Sequence, residues 1–275
     1  MSRWTIEEPT TLDFDGVVAL RTTLIAGSIS VLASDERPSV QISRVDGAPL
    51  TVTHEAGMLT ISHERLLEGV LSLLRSHRVR ADITVTVPRE CPVTLNLVSA
   101  DAVVSGVVAR TSVKSASGLV TIDGVTGRVD ANTVSGAVEA QGLDGSIDFV
   151  SISGDLSLAG GTVQRLSARS VSGRIAADVE LGDSGSVEVN TVSGEVTLRV
   201  PESTGATVTL NSASGRIASS FAGLGRAERP VAQQLSGEIG DGSGRLAVLT
   251  VSGGVTLLAR PGDDAGEITT PRMEK

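Results

Sequence analysis

The chain of 275 residues contains no tyrosine, one tryptophan (Trp4) and three phenylalanines (Phe14, Phe149, Phe221). So few rings exclude the base-stacking platforms of single-strand and RNA readers and leave little to stack on a sugar. Positive charge is also in deficit. A net charge of −9 gives no basic face for general nucleic-acid binding, so no nucleic-acid partner is expected. The single cysteine, Cys91, cannot form an internal disulfide, which fits a reducing compartment. No run of 18 apolar residues is present, so no transmembrane helix is expected. The opening "MSRWTIEEPTTLDFDG" lacks the apolar stretch of a signal peptide. The expected location is the cytoplasm, with any membrane contact peripheral.

Recognisable reaction chemistry is equally sparse. His54, His63 and His77 have no cysteine or acid at metal-ligand spacing. There is no GxSxG elbow, and "GDGSG" at 240–244 has no Lys-Ser/Thr after it to make a phosphate cradle. No catalytic residue, cofactor or metal is expected.

What the chain has is glycine, 31 residues of it, among Val, Leu, Ile and Ala, a composition of strands and turns. It also has a repeat. "NTVSG" occurs at 132–136 and again at 190–194. Related Ser-Gly pairs stand at Ser117-Gly118, Ser135-Gly136, Ser153-Gly154, Ser172-Gly173, Ser193-Gly194, Ser214-Gly215, Ser236-Gly237 and Ser252-Gly253. The glycines are 16 to 22 residues apart, and Ser99-Ala100 extends the series backwards. A period near 20 reads as stacked units.

Two residues after each glycine is an aliphatic: Val120, Val138, Leu156, Ile175, Val196, Ile217, Ile239, Val255. Directly before each serine is another apolar residue, such as Val134, Ile152 or Val171. Strand alternation places these on one inward face and puts the serine, with the Ser or Thr two before it, on an outward face. The alternation changes phase near Asn132, which predicts a corner or bulge, with Asn96, Asn190 and Asn211 in the same column as sites for left-handed backbone. A second turn follows half a period later, at "DGVTG" 123–127, "GLDG" 142–145 and "AGG" 159–161.

The expected fold is therefore all-β: a parallel β-helix, or solenoid, of 18–22-residue coils with a short helical insertion. An antiparallel meander is the alternative, but it gives no reason for one column to stay Ser or Thr. Residues 1–82 read as N-terminal strands and a short helix that cap or begin the solenoid, 83–260 as the repeat, and 261–275 as a polar tail. Within 1–82, "LTVTHEAGMLTISH" predicts a hairpin across Glu55-Ala56-Gly57, with Leu50, Val52, Leu59 and Ile61 on one face. "ERLLEGVLSLLRSHRVR" at 64–80 has helical spacing and predicts a cap or a membrane- or partner-facing helix. Residues 219–234 lose the column pattern and predict a loop leaving the rod. Leu71, Leu74 and Phe221 on these two protrusions are the expected partner contacts.

The run "VTVPRECPVTLNLVSADAVVSG" followed by "SASGLVTIDGVTGRVDANTVSGAVEAQGL" resembles the bacterial "putative adhesin" family with β-strand repeats, a domain family of unknown function. The likeness covers 83 to about 258. It implies a right-handed parallel β-helix, no assigned catalytic residues and, for some relatives, a place in cell-envelope stress systems.

The functional expectation is a non-enzymatic binding or scaffolding protein whose partner is an unidentified protein or envelope component. The alternative is a carbohydrate-active β-helix enzyme of the lyase or hydrolase type, which needs acids and a cation clustered on adjacent coils. Asp155, Arg174 and Glu195, each directly after a Ser-Gly, would stack as neighbours, as would Arg216 and Glu238. Alternating signs in one row favour surface ion-pair ladders over a catalytic cluster.

Overall fold

The computed structural model describes residues 2–63, 79–229 and 232–261. Every regular element among them is a strand, β1 to β22 in chain order. The repeat stacks in parallel, each coil lying on the next at an offset of one period. Val120 pairs with Val138, Val138 with Leu156, Leu156 with Ile175, and Ile175 with Val196, as the post-glycine column predicts. All five are at most 2% exposed. The row runs back through Ala102 to Ile29 and Ile83, so the interior is a stack of aliphatic rows. Aromatics are not needed there, although the ring of Phe149 is buried deep in the repeat core.

The turn half a period on is built on glycines in the left-handed region, as at Gly124 and Gly142 (φ 56° and 60°), a conformation that side chains resist. The expected hairpin is present as well. Leu50–Glu55 (β5) runs antiparallel to Met58–His63 (β6), and the four apolar residues named for its face are fully buried. Ala56 and Gly57 both have positive φ, the requirement of the tight turn whose twist suits a hairpin.

Spatial order departs from sequence order at both ends. Ala19–Ala33 (β3) lies between β6 and Arg80–Val87 (β7) on one side and Val93–Ser105 (β8) on the other. At the far end, Gly244–Thr250 (β21) and Val255–Arg260 (β22) slide between two coils that precede them in the chain. One partner level is Ile175–Thr191 (β15) with Val196–Pro201 (β16); the other is Ala206–Ser212 (β17) with Ile217–Ser219 (β18). The column therefore runs Val196, Val255, Ile217.

Several expectations are corrected here. Ser236-Gly237 is not a coil corner. It lies in Ala232–Ile239 (β20), which runs antiparallel to β17 and sets Ile239 opposite Ala206 and Glu238 opposite Thr207. Glu238 thus does not stack on Arg216. Nor do the described residues of 219–234 form one long loop: Gly225–Arg229 (β19) pairs antiparallel with β20 and closes the end of the sheet. Phe221 does not protrude but packs, partly buried, against the core. The N-terminal end is closed likewise, by Ser39–Asp46 (β4) on β7 and by β5 on β6. An open coil would present a row of unpaired backbone groups to any other strand, and these antiparallel strands cover it. The helix expected over 64–80 falls outside the described residues except at Val79 and Arg80, and Arg80 opens a strand. Leu71 and Leu74 are likewise outside them. The expected 82/83 boundary falls inside β7.

Candidate functional site at the serine–glycine corner

The corner after each first strand is where the repeat concentrates its identity, and its inside and outside are the reverse of simple alternation. The Ser or Thr two before each serine points inward. Thr133, Ser151, Ser170, Thr191, Ser212 and Thr250 are 1–7% exposed. The apolar residue that follows points outward: Val134 is 48% exposed, Ile152 55%, Val171 49%, Val192 47% and Val251 53%. Val129, Ala131 and Thr133 keep strict inward parity, then Val134 and Ser135 are both exposed, and Gly136 and Val138 return to the interior. Two consecutive exposed residues make the corner. Asn132 sits inside a regular strand, and the non-glycine residues with positive φ among the described residues are Ala56 and Ser184, so the asparagines are not left-handed corners.

Each letter of "TVSG" now has a physical cause. The buried hydroxyl accepts the N–H of the glycine three residues on: Gly136 to Thr133 at 2.8 Å, Gly154 to Ser151 at 2.6 Å, Gly173 to Ser170 at 2.9 Å, Gly253 to Thr250 at 2.9 Å. That bond satisfies a donor which the sheet ladder cannot reach as the chain turns. The serine braces the previous level. Ser135 donates both its N–H (3.0 Å) and its hydroxyl (3.2 Å) to the Ala116 carbonyl, and Ser153, Ser172 and Ser193 do the same one coil on each time. Glycine is required by close approach. A Cβ on Gly154, Gly173 or Gly194 would lie 2.0 Å from the carbonyl oxygen of the glycine one level back. The corner serines and glycines from Ser135-Gly136 to Ser193-Gly194 thus hold adjacent levels together.

The valine has no such internal duty. The carbonyl bonds put the outward residues in the order Val98, Ala116, Val134, Ile152, Val171, Val192, Val251, Ala213. They form one aliphatic row along eight levels, about 34 Å at the strand spacing. Val150 (41% exposed) and Leu249 (55%) widen it. Where Ala116 interrupts the valines there is a shallow groove of about 350 Å³, lined by Asn96, Val98, Lys114, Ala116, Asn132 and Val134. Sequence reasoning missed this row because a corner that exposes two successive residues shifts the alternation. The visible signal was Ser or Thr with glycine three residues later, the pattern of a side-chain-closed turn.

The residues proposed for an enzyme lie beside this corner. The Asp155 carboxylate accepts the Arg174 backbone N–H at 2.7 Å, and the Arg174 guanidinium reaches Glu195 at 3.9 Å with both side chains about 70% exposed. This is surface bracing between levels, and the next level contributes Gly254 in place of a charge. Denser ion pairs occur elsewhere. Arg128 bridges Asp130 (3.0 Å) and Asp148 (2.8 Å), and its guanidinium is held more firmly protonated by the Asp130 hydrogen bond and both carboxylates. Arg260 spans Asp178 (2.8 Å) and Glu180 (2.9 Å) beside a polar cleft of about 520 Å³ that Asp183 and Asp241 also line. Hydrogen bonds from Ser243 hold Asp241 below the usual carboxylate range, so it stays ionised. Among the described residues no three His, Cys, Asp or Glu side chains come together to hold a metal ion.

Buried titratable groups are few. His63 is 1% exposed, neither ring nitrogen has a partner, and burial lowers it to about 4. Burial raises Cys91 to about 11, well above a reactive thiol.

Stacked parallel coils with a repeated corner motif define an all-β, solenoid-like repeat protein. The chain belongs to the Toastrack DUF4097 family, whose model matches residues 26–258. No curated protein matches it. Solved structures similar to it include a "putative lipid binding protein" from Parabacteroides distasonis, 18% identical, covering 92% of this chain and 96% of that one at a TM-score of 0.47. A "putative adhesin" from the same organism is 11% identical, with 94% and 97% covered and a TM-score of 0.44. A "putative cell adhesion protein" from Clostridium sporogenes is 13% identical, with 92% and 100% covered and a TM-score of 0.26.

Proposed function

We propose that this chain is a non-enzymatic binding and scaffolding module: a parallel β-helix that offers the aliphatic corner row to a macromolecular partner of the cell envelope. The observation that carries this reading is the row itself. Five residues about half exposed, aligned on consecutive levels, form a larger ordered apolar surface than scattered exposed valines. Each lies between a polar residue facing the core and a serine tied to the previous level, so the backbone beneath is rigid and the surface is presented without a folding cost. The serine row is a poor rival, since its hydroxyl protons are already given to backbone carbonyls. The location beside an envelope follows the family resemblance and belongs to the proposal.

The test is co-sedimentation with anionic phospholipid vesicles, and separately with detergent-solubilised envelope proteins. Three folded variants are compared: Val134→Ser with Ile152→Ser and Val171→Ser; Ser135→Ala with Ser153→Ala and Ser172→Ala; and Phe221→Ser. Loss of binding confined to the first variant is expected. Binding that survives it, or that only the serine variant abolishes, ends the reading.

A further inference from the structure

We infer that the envelope partner of the corner row is an anionic lipid surface, which meets the row together with the basic sheet face beside it. The inference rests on the row being a contact face and names the chemistry of what it meets.

The net charge of −9 is unevenly spread, and the total conceals a face of opposite sign. The first strands of the repeat end at the corner row, and their outward residues align level by level. The row next to the corner runs from Asn96 to Asn211 and holds Lys114 and Arg169 among amides and aliphatics, with no acid. In the two rows beyond it, Arg110 and Arg128 are engaged with Asp130 and Asp148. That leaves Lys114, Arg165, Arg169 and Arg245, all exposed, against Glu188. Among the described residues none of these four cations makes a salt bridge. On the second strands, past the corner, the signs reverse. In the three rows nearest the corner there, Arg174, Arg199 and Arg216 are outnumbered by Asp101, Asp123, Glu139, Asp155, Asp178 and Glu195. The aliphatic row is therefore the border between a basic face and an acidic one.

Aliphatic and basic chemistry on one side of the border select the occupant. At a lipid surface, apolar side chains enter between the headgroups while neighbouring cations meet the phosphates, and both contributions add. A soluble polyanion would use the cations and leave the valines in water. Lys and Arg suit the edge of an apolar phase, because their stems lie along it while their heads stay wet. The shallow groove at Ala116 holds both chemistries in one place, with Asn96, Lys114 and Asn132 beside Val98 and Val134. A rod resting on its corner brings Lys114 and Arg169 nearest the phosphates, since they stand one row, about 7 Å, from the aliphatic residues. Arg165 and Arg245 are two rows farther away. The acidic second-strand face is repelled, which fixes the side on which the rod lies.

The experiment is co-sedimentation of the full chain with vesicles of phosphatidylcholine alone or with about 30 mol% phosphatidylglycerol, at two salt concentrations. Capture on immobilised dextran sulfate and the envelope-protein assay run beside it. The natural chain should bind the mixed vesicles at least about tenfold more tightly than the neutral ones, and less tightly as salt rises. Lys114→Gln with Arg169→Gln should weaken binding about twentyfold, at about fivefold per cation. Arg174→Gln with Arg216→Gln removes the same charge beside the row on its acidic side, and should leave binding within about twofold of the natural chain. Glu188→Gln should tighten it a few-fold. Equal binding to the two vesicles, or equal loss in the two paired variants, would overturn the inference. So would capture by dextran sulfate as tight as vesicle binding, which would make the ligand a soluble polyanion. A chain that binds envelope protein through the row but ignores vesicles would refute the lipid surface alone and leave the binding reading standing. Vesicle binding that needs Lys114 and Arg169 yet survives the Val134, Ile152 and Val171 serine variant would refute both.

Discussion

The middle of the rod and its two ends solve one problem in opposite ways. From Thr133 to Gly194 every level repeats the last: a buried hydroxyl closes the turn, a glycine lets backbones touch, and aliphatics stack in register. The ends abandon parallel stacking, run strands antiparallel, and thread a later or earlier segment into the pile. Regularity is cheap where both neighbours are alike and unsafe where one neighbour is water. The middle is therefore governed by close approach and the ends by edge protection.

The sharpest way to break this contrast is a single methyl group. Gly173→Ala in the middle puts a Cβ 2.0 Å from the Gly154 carbonyl oxygen and must push adjacent levels apart. Gly225→Ala in the end cap meets nothing closer than 3.6 Å. The first should destabilise by about 3 kcal/mol or more and the second by less than about 1 kcal/mol, read by urea unfolding. Equal effects would show that the two regions do not differ in packing.

The next effect belongs to an end. His63 occupies the level of β6, where Leu24 and Leu97 fill the same column on the two levels above it. The folded chain holds this imidazole neutral down to about 4, whereas the unfolded chain takes up a proton near 6.5. Stability should be full above 6.5 and fall by about 1.4 kcal/mol per pH unit between 6.5 and 4. His63→Leu should flatten that slope and raise stability at every pH, since it removes two buried nitrogens without partners. A slope that persists in the leucine variant would place the acid sensitivity elsewhere.

Smaller still is the loss of one turn-closing hydroxyl. Thr133→Val keeps the shape and strands the Gly136 N–H, and should cost about 1–2 kcal/mol by the same unfolding measurement. Smallest is the surface ladder. Replacing Asp155, Arg174 and Glu195 together by alanine should change stability by less than about 1 kcal/mol. If that variant also lost a polysaccharide-cleaving activity, the non-enzymatic reading would fail.

The coil architecture was legible because the post-glycine aliphatics are aliphatic without exception and must therefore be inside. The corner was misread at Thr133 and Val134 because polarity was taken for exposure. A threonine whose oxygen closes a turn is satisfied in the core, and a valine inside that turn has no core to enter. The intruding end strand had also left a mark. Gln234 stands where every other repeat has Ser or Thr, so "QLSG" cannot close the turn that "TVSG" closes. The order of the last levels had no local signature, since β22 fits the register of both its neighbours equally well.

That even fit bears on how the chain reaches its final form during synthesis. Residues 206–219 leave the ribosome before 244–260, yet must finish one level farther out. Until the later segment is made, the earlier one can rest directly on the 186–201 level, with Ile217 over Val196 and glycine over glycine. Such a nascent rod would be well paired and wrong, and it would have to reopen to admit the final coil.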